Sequence, residues 1–230
     1  MSTVTRRTSF IAIACLCASL AMAGRGFAAG TQPVITPSGR IDLFNGKDFS
    51  GWKLYLPKDA DVTQTWSVEN GVIHNTGLPI GYMRTEQRYR DYKLTVEWRF
   101  IKVAPKRDNS GILVHMSAPL DKLWPECVQC QGQTQKEGDL IFMAGAACKE
   151  SQDLPGANKV VAKNGPSNEK PVGEWDTVEV LCAGNTIKAW VNGKLMNAAS
   201  ECNISSGEIG IQSEGGDIEI RKMYIEPLPK

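Results

Sequence analysis

The chain has 230 residues, with 42% hydrophobic and 22% charged side chains, and its 26 Lys and Arg against 25 Asp and Glu leave a formal net charge of +1. That balance excludes an intrinsically disordered chain and gives no electrostatic footprint for nucleic acid. The 22 Gly and 12 Pro exclude collagen-like and proline-rich designs, and the length fits one domain of ordinary size.

Residues 1–29 read as a signal peptide rather than as part of the fold. Arg6 and Arg7 form a basic start, Phe10 to Ala23 is an uncharged apolar run, and Ala21-Met22-Ala23 and Gly26-Phe27-Ala28 offer small-x-small cleavage sites. The run is too short to span a bilayer comfortably. The Arg pair with Phe10 loosely matches a twin-arginine export signal, so the expected location is periplasmic or secreted. Residues 30–40, rich in Pro, Gly and Ser, read as a linker, and residues 41–228 as the domain.

Along the domain the pattern is of strands. Trp66-Ser67-Val68 and Val72-Ile73-His74 flank Asn70-Gly71, the strongest short hairpin signal. Lys93 to Ile101 alternates, with Leu94, Val96, Trp98 and Phe100 on one face and Thr95, Glu97 and Arg99 on the other. In Gly111 to Met116, Ile112, Val114 and Met116 oppose Leu113 and His115. In Glu126 to Gln131, Val128 and Cys130 oppose Gln129 and Gln131. Thr177–Leu181 and Thr186–Val191 flank Gly184-Asn185, Asn192-Gly193 is a third turn, and Glu208–Gln212 and Asp217–Ile225 complete the series. Stretches 102–109 and 144–174 read as long loops. Short strands at regular spacing, without a long amphipathic helix, predict an all-β sandwich or barrel.

No phosphate-binding glycine loop, H-E-x-x-H or G-x-S-x-G elbow is present. Five cysteines lie beyond residue 29. Cys127 and Cys130 have the C-x-x-C spacing of a redox or zinc pair, but there is no second pair, and His74 and His115 are the only histidines. Cys182 and Cys202 are the expected disulfide.

Alternation leaves Glu97, Arg99, His115, Gln129 and Gln131 opposite the apolar residues of their strands. On neighbouring strands they would form one polar face suited to sugar hydroxyls, with Trp124 and Trp175 at its edges. A solvated face with incidental ion pairs has the same pattern.

Ile41-Asp42-Leu43-Phe44-Asn45-Gly46-Lys47-Asp48, Gly51-Trp52, Trp66 to Gly71, Thr85-Glu86, Tyr92 to Arg99, Asn109 to Ile112, Gly173 to Thr177, Val191-Asn192-Gly193 and Gly207 to Gln212 occur in that order. This succession resembles the 3-keto-disaccharide hydrolase domain family over about residues 41–228. The resemblance implies an all-β, two-sheet jelly-roll sandwich of the concanavalin or laminin-G kind, export, and a carbohydrate substrate. The family's E-x-R strand falls on Glu97 and Arg99, and its N-S-G turn on Asn109, Ser110 and Gly111. Where relatives commonly carry E-x-Q and Arg, this chain has Gln129 with Gln131 and His115.

A 3-keto sugar needs less than the two carboxyl groups of an ordinary glycosidase. Its carbonyl acidifies the C2 proton, so one base and one electrophile suffice for elimination, and water then adds back. The expected catalytic residues are Glu97, His115 and Arg99, with either Glu97 or His115 as base. Gln129, Gln131, Asn109, Trp175 and Glu86 are expected to bind substrate. No cofactor is required, although Glu97 and His115 together could hold a divalent metal. The alternative is a non-catalytic glycan-binding module using the same cleft.

Overall fold

The computed structural model describes residues 32–58, 60–102, 109–120 and 122–229. The signal-peptide reading of residues 1–29 falls outside them. In chain order the strands are β1 (Val34–Ile35), β2 (Ile41–Asp42), β3 (Trp52–Tyr55), β4 (Trp66–Glu69), β5 (Val72–Asn75), β6 (Gly81–Thr85), β7 (Arg88–Tyr89), β8 (Tyr92–Phe100) and β9 (Gly111–Ser117). They continue with β10 (Glu126–Gln131), β11 (Leu140–Met143), β12 (Lys159–Val161), β13 (Asp176–Ala183), β14 (Thr186–Val191), β15 (Lys194–Ala199), β16 (Glu208–Ser213) and β17 (Ile218–Pro227). Two 3-10 turns, Val62–Gln64 and Lys149–Ser151, are the helical segments among the described residues. No described helix is long and apolar enough to cross a membrane.

Two large sheets carry the fold. One has seven strands in the order β12-β11-β10-β9-β16-β6-β3, and the other has eight in the order β15-β14-β13-β8-β17-β5-β4. The predicted two-sheet, all-β class is the observed one. The expected hairpins form as well. Asn70 and Gly71 (φ 52° and 79°) turn β4 into β5, and Asn192 and Gly193 (φ 49° and 79°) turn β14 into β15. Both residues of each pair occupy the left-handed region that tight hairpins of this twist require.

The inward faces follow the predicted alternation. Val96, Trp98, Ile112, Val114, Val128 and Cys130 all lie in one core cluster between the sheets, each at most 2% exposed. Burial of each such aliphatic side chain contributes about 1.5–3 kcal/mol.

The loops are more structured than expected. Within 30–40, β1 pairs in parallel with β7, so this stretch is tied to the fold. Within 144–174, β12 extends the seven-stranded sheet beyond β11.

The cysteine expectations are also corrected. Cys182 and Cys202 are free and buried, so the expected disulfide is absent. Burial pushes both thiols up to about 12, which keeps them protonated at neutral pH. Cys127 and Cys130 are three residues apart on an extended strand and therefore face opposite ways. Cys130 joins the inter-sheet core, and Cys127 joins a second apolar cluster on the outside of the seven-stranded sheet.

Candidate functional site

The outward face of the seven-stranded sheet is built by register. Lys53, Arg84, Gly210, Leu113, Gln129 and Ile141 are successive cross-strand partners on β3, β6, β16, β9, β10 and β11. A second row begins with Tyr55, Tyr82 and Gln212. Two glycines keep the floor low. A Cβ on Gly111 would stand 2.4 Å from Gln129 Nε2, and one on Gly210 would meet Met116 Sδ at 2.6 Å.

One part of this face is a chain of amides. Gln129 Nε2 donates to Gln131 Oε1 and to Gln212 Oε1, each at 3.1 Å. Gln212 Nε2 and Asn109 Nδ2 both donate to Glu214 Oε2, at 2.6 and 2.9 Å. Gln131 Oε1 also accepts from the backbone N–H groups of Gly132 and Gln133. The structure therefore brings together Asn109, Gln129 and Gln131 and adds Gln212 and Glu214 to them.

The other part is an ion pair beside aromatic rings. Arg84 Nη1 donates to Glu208 Oε2 at 2.6 Å, with the side chains only 15% and 8% exposed. Burial pushes the Glu208 carboxyl above its ordinary range, against the opposing pull of Arg84, Lys53 and Arg88. Tyr55 stacks on Tyr82 at 4.9 Å and 10°, and Trp124 leans on Tyr82 at 6.3 Å. The Tyr82 hydroxyl donates to the carbonyls of Leu120 and Lys122, which anchors the loop before β10 against this face.

Of the expected catalytic residues none joins this face, and His115 is separated from Glu97 and Arg99. β8 lies in the eight-stranded sheet, so Glu97 and Arg99 point outward on the opposite side of the sandwich. Glu97 accepts from Arg221 Nε at 2.7 Å and Lys222 Nζ at 3.1 Å. Burial raises the Glu97 pKa, but those two cations outweigh it and hold the carboxylate below its ordinary value. Arg99 pairs with Glu219, which also lies 3.3 Å from His74 Nδ1. Arg99 and Arg221 both lie against the ring of Trp175, 4.4 and 4.5 Å from its centroid. Trp175 thus belongs to a saturated lattice of charges on that side.

His115 is displaced by a bulge. Between the pairs Leu113–Gly210 and Met116–Glu208, β9 has one residue more than β16, and His115 there has φ 55°. The extra residue breaks the alternation. Met116 faces out beside Glu208, while the fully buried His115 ring stands edge-on to the core residue Tyr92 at 6.2 Å. Burial pushes His115 down to about 4, against the opposing pull of the Ile204 backbone and Asp91. The expected Glu97–His115 metal pair is therefore split between the outer surface and the interior. No cluster of three or more His, Cys, Asp or Glu suited to a metal occurs among the described residues. Glu86 is exposed in the turn after β6.

Arg84, Glu208 and Gln212 are missing from the expected site. Their signal was the same alternation: Glu208, Gly210 and Gln212 oppose Ile209 and Ile211, and Arg84 shares a face with Tyr82.

Comparison with solved structures places the fold among jelly-roll sandwiches of the concanavalin-like type. The crystal structure of a putative glycosyl hydrolase from Parabacteroides distasonis superposes with a TM-score of 0.62, at 21% identity, covering 83% of this chain and 94% of that one. A Bacillus licheniformis β-glucanase superposes with a TM-score of 0.56, at 13% identity, covering 83% and 99%. The family is more specific than the fold. Residues 39–226 match the model of the 3-keto-alpha-glucoside-1,2-lyase-like domain, and the chain belongs to that family. A 3-keto-disaccharide hydrolase of Bacteroides thetaiotaomicron is 25% identical over an alignment of 182 positions that covers 68% of this chain and 57% of that relative's length.

Proposed function

We propose that the protein cleaves the glycosidic bond of 3-keto-glucosides by elimination, on the outward face of the seven-stranded sheet. Glu208 is the base. It removes the proton from C2, and the electron pair forms the enolate of the C3 carbonyl. Arg84 stabilises the developing negative charge on that oxygen. Collapse of the enolate forms a C1–C2 double bond and expels the C1 oxygen with its aglycone, which leaves as an alcohol after taking up a proton. Addition of water, hydroxyl to C1 and hydrogen to C2, gives net hydrolysis.

The observation that carries this reading is the Arg84–Glu208 pair, a carboxyl raised by burial and held 2.6 Å from a guanidinium on a polar, aromatic-walled face. A general base works best when its pKa approaches the working pH, and burial moves Glu208 in that direction. Gln129, Gln131, Gln212 and Asn109 supply amides for sugar hydroxyls, and Tyr55 and Trp124 supply apolar ring surface. The family match supports the 3-keto substrate class. The basic-then-apolar start of the sequence supports export, and the reaction is then periplasmic or extracellular.

Release of glucose from 3-keto-trehalose and from trehalose tests the reading. The wild-type protein is expected to cleave only the keto form. Glu208→Gln is expected to lower kcat by about 10²-fold or more. Gln129→Ala is expected to raise KM with a smaller effect on kcat. Cleavage of trehalose at a comparable rate, or full turnover by Glu208→Gln, would overturn it.

A further inference from the structure

A cavity of about 280 Å³ opens at the end of β8, away from the face that carries Arg84 and Glu208. Its walls include Trp98, Phe100, Thr134, Glu137, Glu169 and Asp176. Glu137 is 2% exposed. One of its oxygens, Oε1, accepts from the Trp98 indole N–H at 2.7 Å, and the other, Oε2, has no partner. The Thr134 hydroxyl is also buried without a partner. Buried polar atoms left in this state are costly, so two of them on residues that line one cavity call for an occupant that bonds to both.

We propose that this cavity is a second binding pocket, which takes one sugar ring through hydroxyl groups bonded to Glu137 Oε2 and Thr134 Oγ1. Its size favours a single ring, since it falls just short of the roughly 300–1,000 Å³ of pockets for drug-sized ligands. Its chemistry favours a neutral polyol over a cation. Burial, reinforced by the Asp176 and Glu169 carboxyls, keeps the Glu137 carboxyl protonated well above its ordinary range, with only the Trp98 indole pulling the other way. The open oxygen therefore carries a proton to donate, and an ammonium group or metal ion would meet hydrogen instead of a lone pair. A sugar hydroxyl both accepts and donates, so it can take the Glu137 proton and either accept from Thr134 or donate to it. Trp98 and Phe100, tilted at 45° with centroids 6.4 Å apart, supply apolar surface for the ring.

The Trp98 indole N–H, bonded directly to Glu137, is the reporter. Glucose titrated to tens of millimolar into the ¹⁵N-labelled protein is expected to shift that cross-peak saturably. Thr134→Val removes only an unpartnered hydroxyl, so it is expected to keep or raise the melting temperature while weakening glucose binding about five-fold. Glu137→Leu is expected to weaken it further if the variant folds. Arg84→Met, on the other face, is expected to leave the titration unchanged, so the result is independent of whether that face is catalytic. An unmoved Trp98 signal, a shift produced by methylammonium and not by glucose, or an unaltered affinity in Thr134→Val would overturn the proposal.

Discussion

Among single residues, burial decides which titratable groups can do chemistry. Glu208 and Glu97 are both carboxyls paired with arginine, yet their pKa values move in opposite directions. Desolvation prevails at Glu208, and the two cations prevail at Glu97. Glu97→Gln is therefore expected to leave turnover of 3-keto-trehalose within about three-fold of wild type, in contrast to Glu208→Gln. Arg84 holds the Glu208 pKa down, so Arg84→Met is expected to move the acidic limb of the kcat/KM profile to higher pH, besides lowering its plateau. His115 sets a stability limit instead. Its folded pKa of about 4 lies below the ordinary 6.5, so the unfolded chain binds the proton first as pH falls. Stability is expected to be intact above about pH 6.5 and to drop by roughly 3 kcal/mol by about pH 4. Urea titrations across that range check this, and His115→Phe should flatten the dependence.

Among strands, alternation made the interior legible. Val96, Trp98, Ile112, Val114, Val128 and Cys130 all pack where their parity places them. It read Gln129 and Gln131 as outward for the same reason. Two things defeated it for the rest of the site. Parity says whether a side chain points in or out, but not which sheet its strand joins, and consecutive strands β8 and β9 join opposite sheets. The inserted residue at His115 then reversed the count within β9, and nothing in the apolar pattern of Gly111–Met116 marks it. The neighbours of β16, β6 and β9, are distant in sequence, so the meeting of Glu208 with Arg84 depends on long-range pairing. The floor of the face can be tested through Gly210. Gly210→Ala would place a Cβ 2.6 Å from Met116 Sδ and 2.7 Å from the Met83 carbonyl oxygen. It is expected to destabilise the protein by about 1–3 kcal/mol, seen as a lower urea midpoint at unchanged slope.

Across the whole molecule, the sandwich has two chemically different outer faces. The eight-stranded sheet carries a lattice of paired charges around Trp175, and the seven-stranded sheet carries amides, aromatic rings and the Arg84–Glu208 pair. Stability rests on the apolar core between them and not on a cross-link among the described residues, since Cys127, Cys130, Cys148, Cys182 and Cys202 are all free and buried. Dithiothreitol is accordingly expected to leave the melting temperature unchanged, and these five thiols are expected to react with a thiol reagent only after denaturation. The family model covers nearly all of the sandwich. The most direct measurement is cleavage of 3-keto-trehalose in D₂O, with the released 3-keto-glucose analysed for deuterium and corrected for exchange without protein. Elimination followed by hydration predicts one solvent deuterium at C2 with the wild-type protein, and product formation at least about 10²-fold slower with Glu208→Gln. Product formed at full rate with protium retained at C2 would contradict the mechanism.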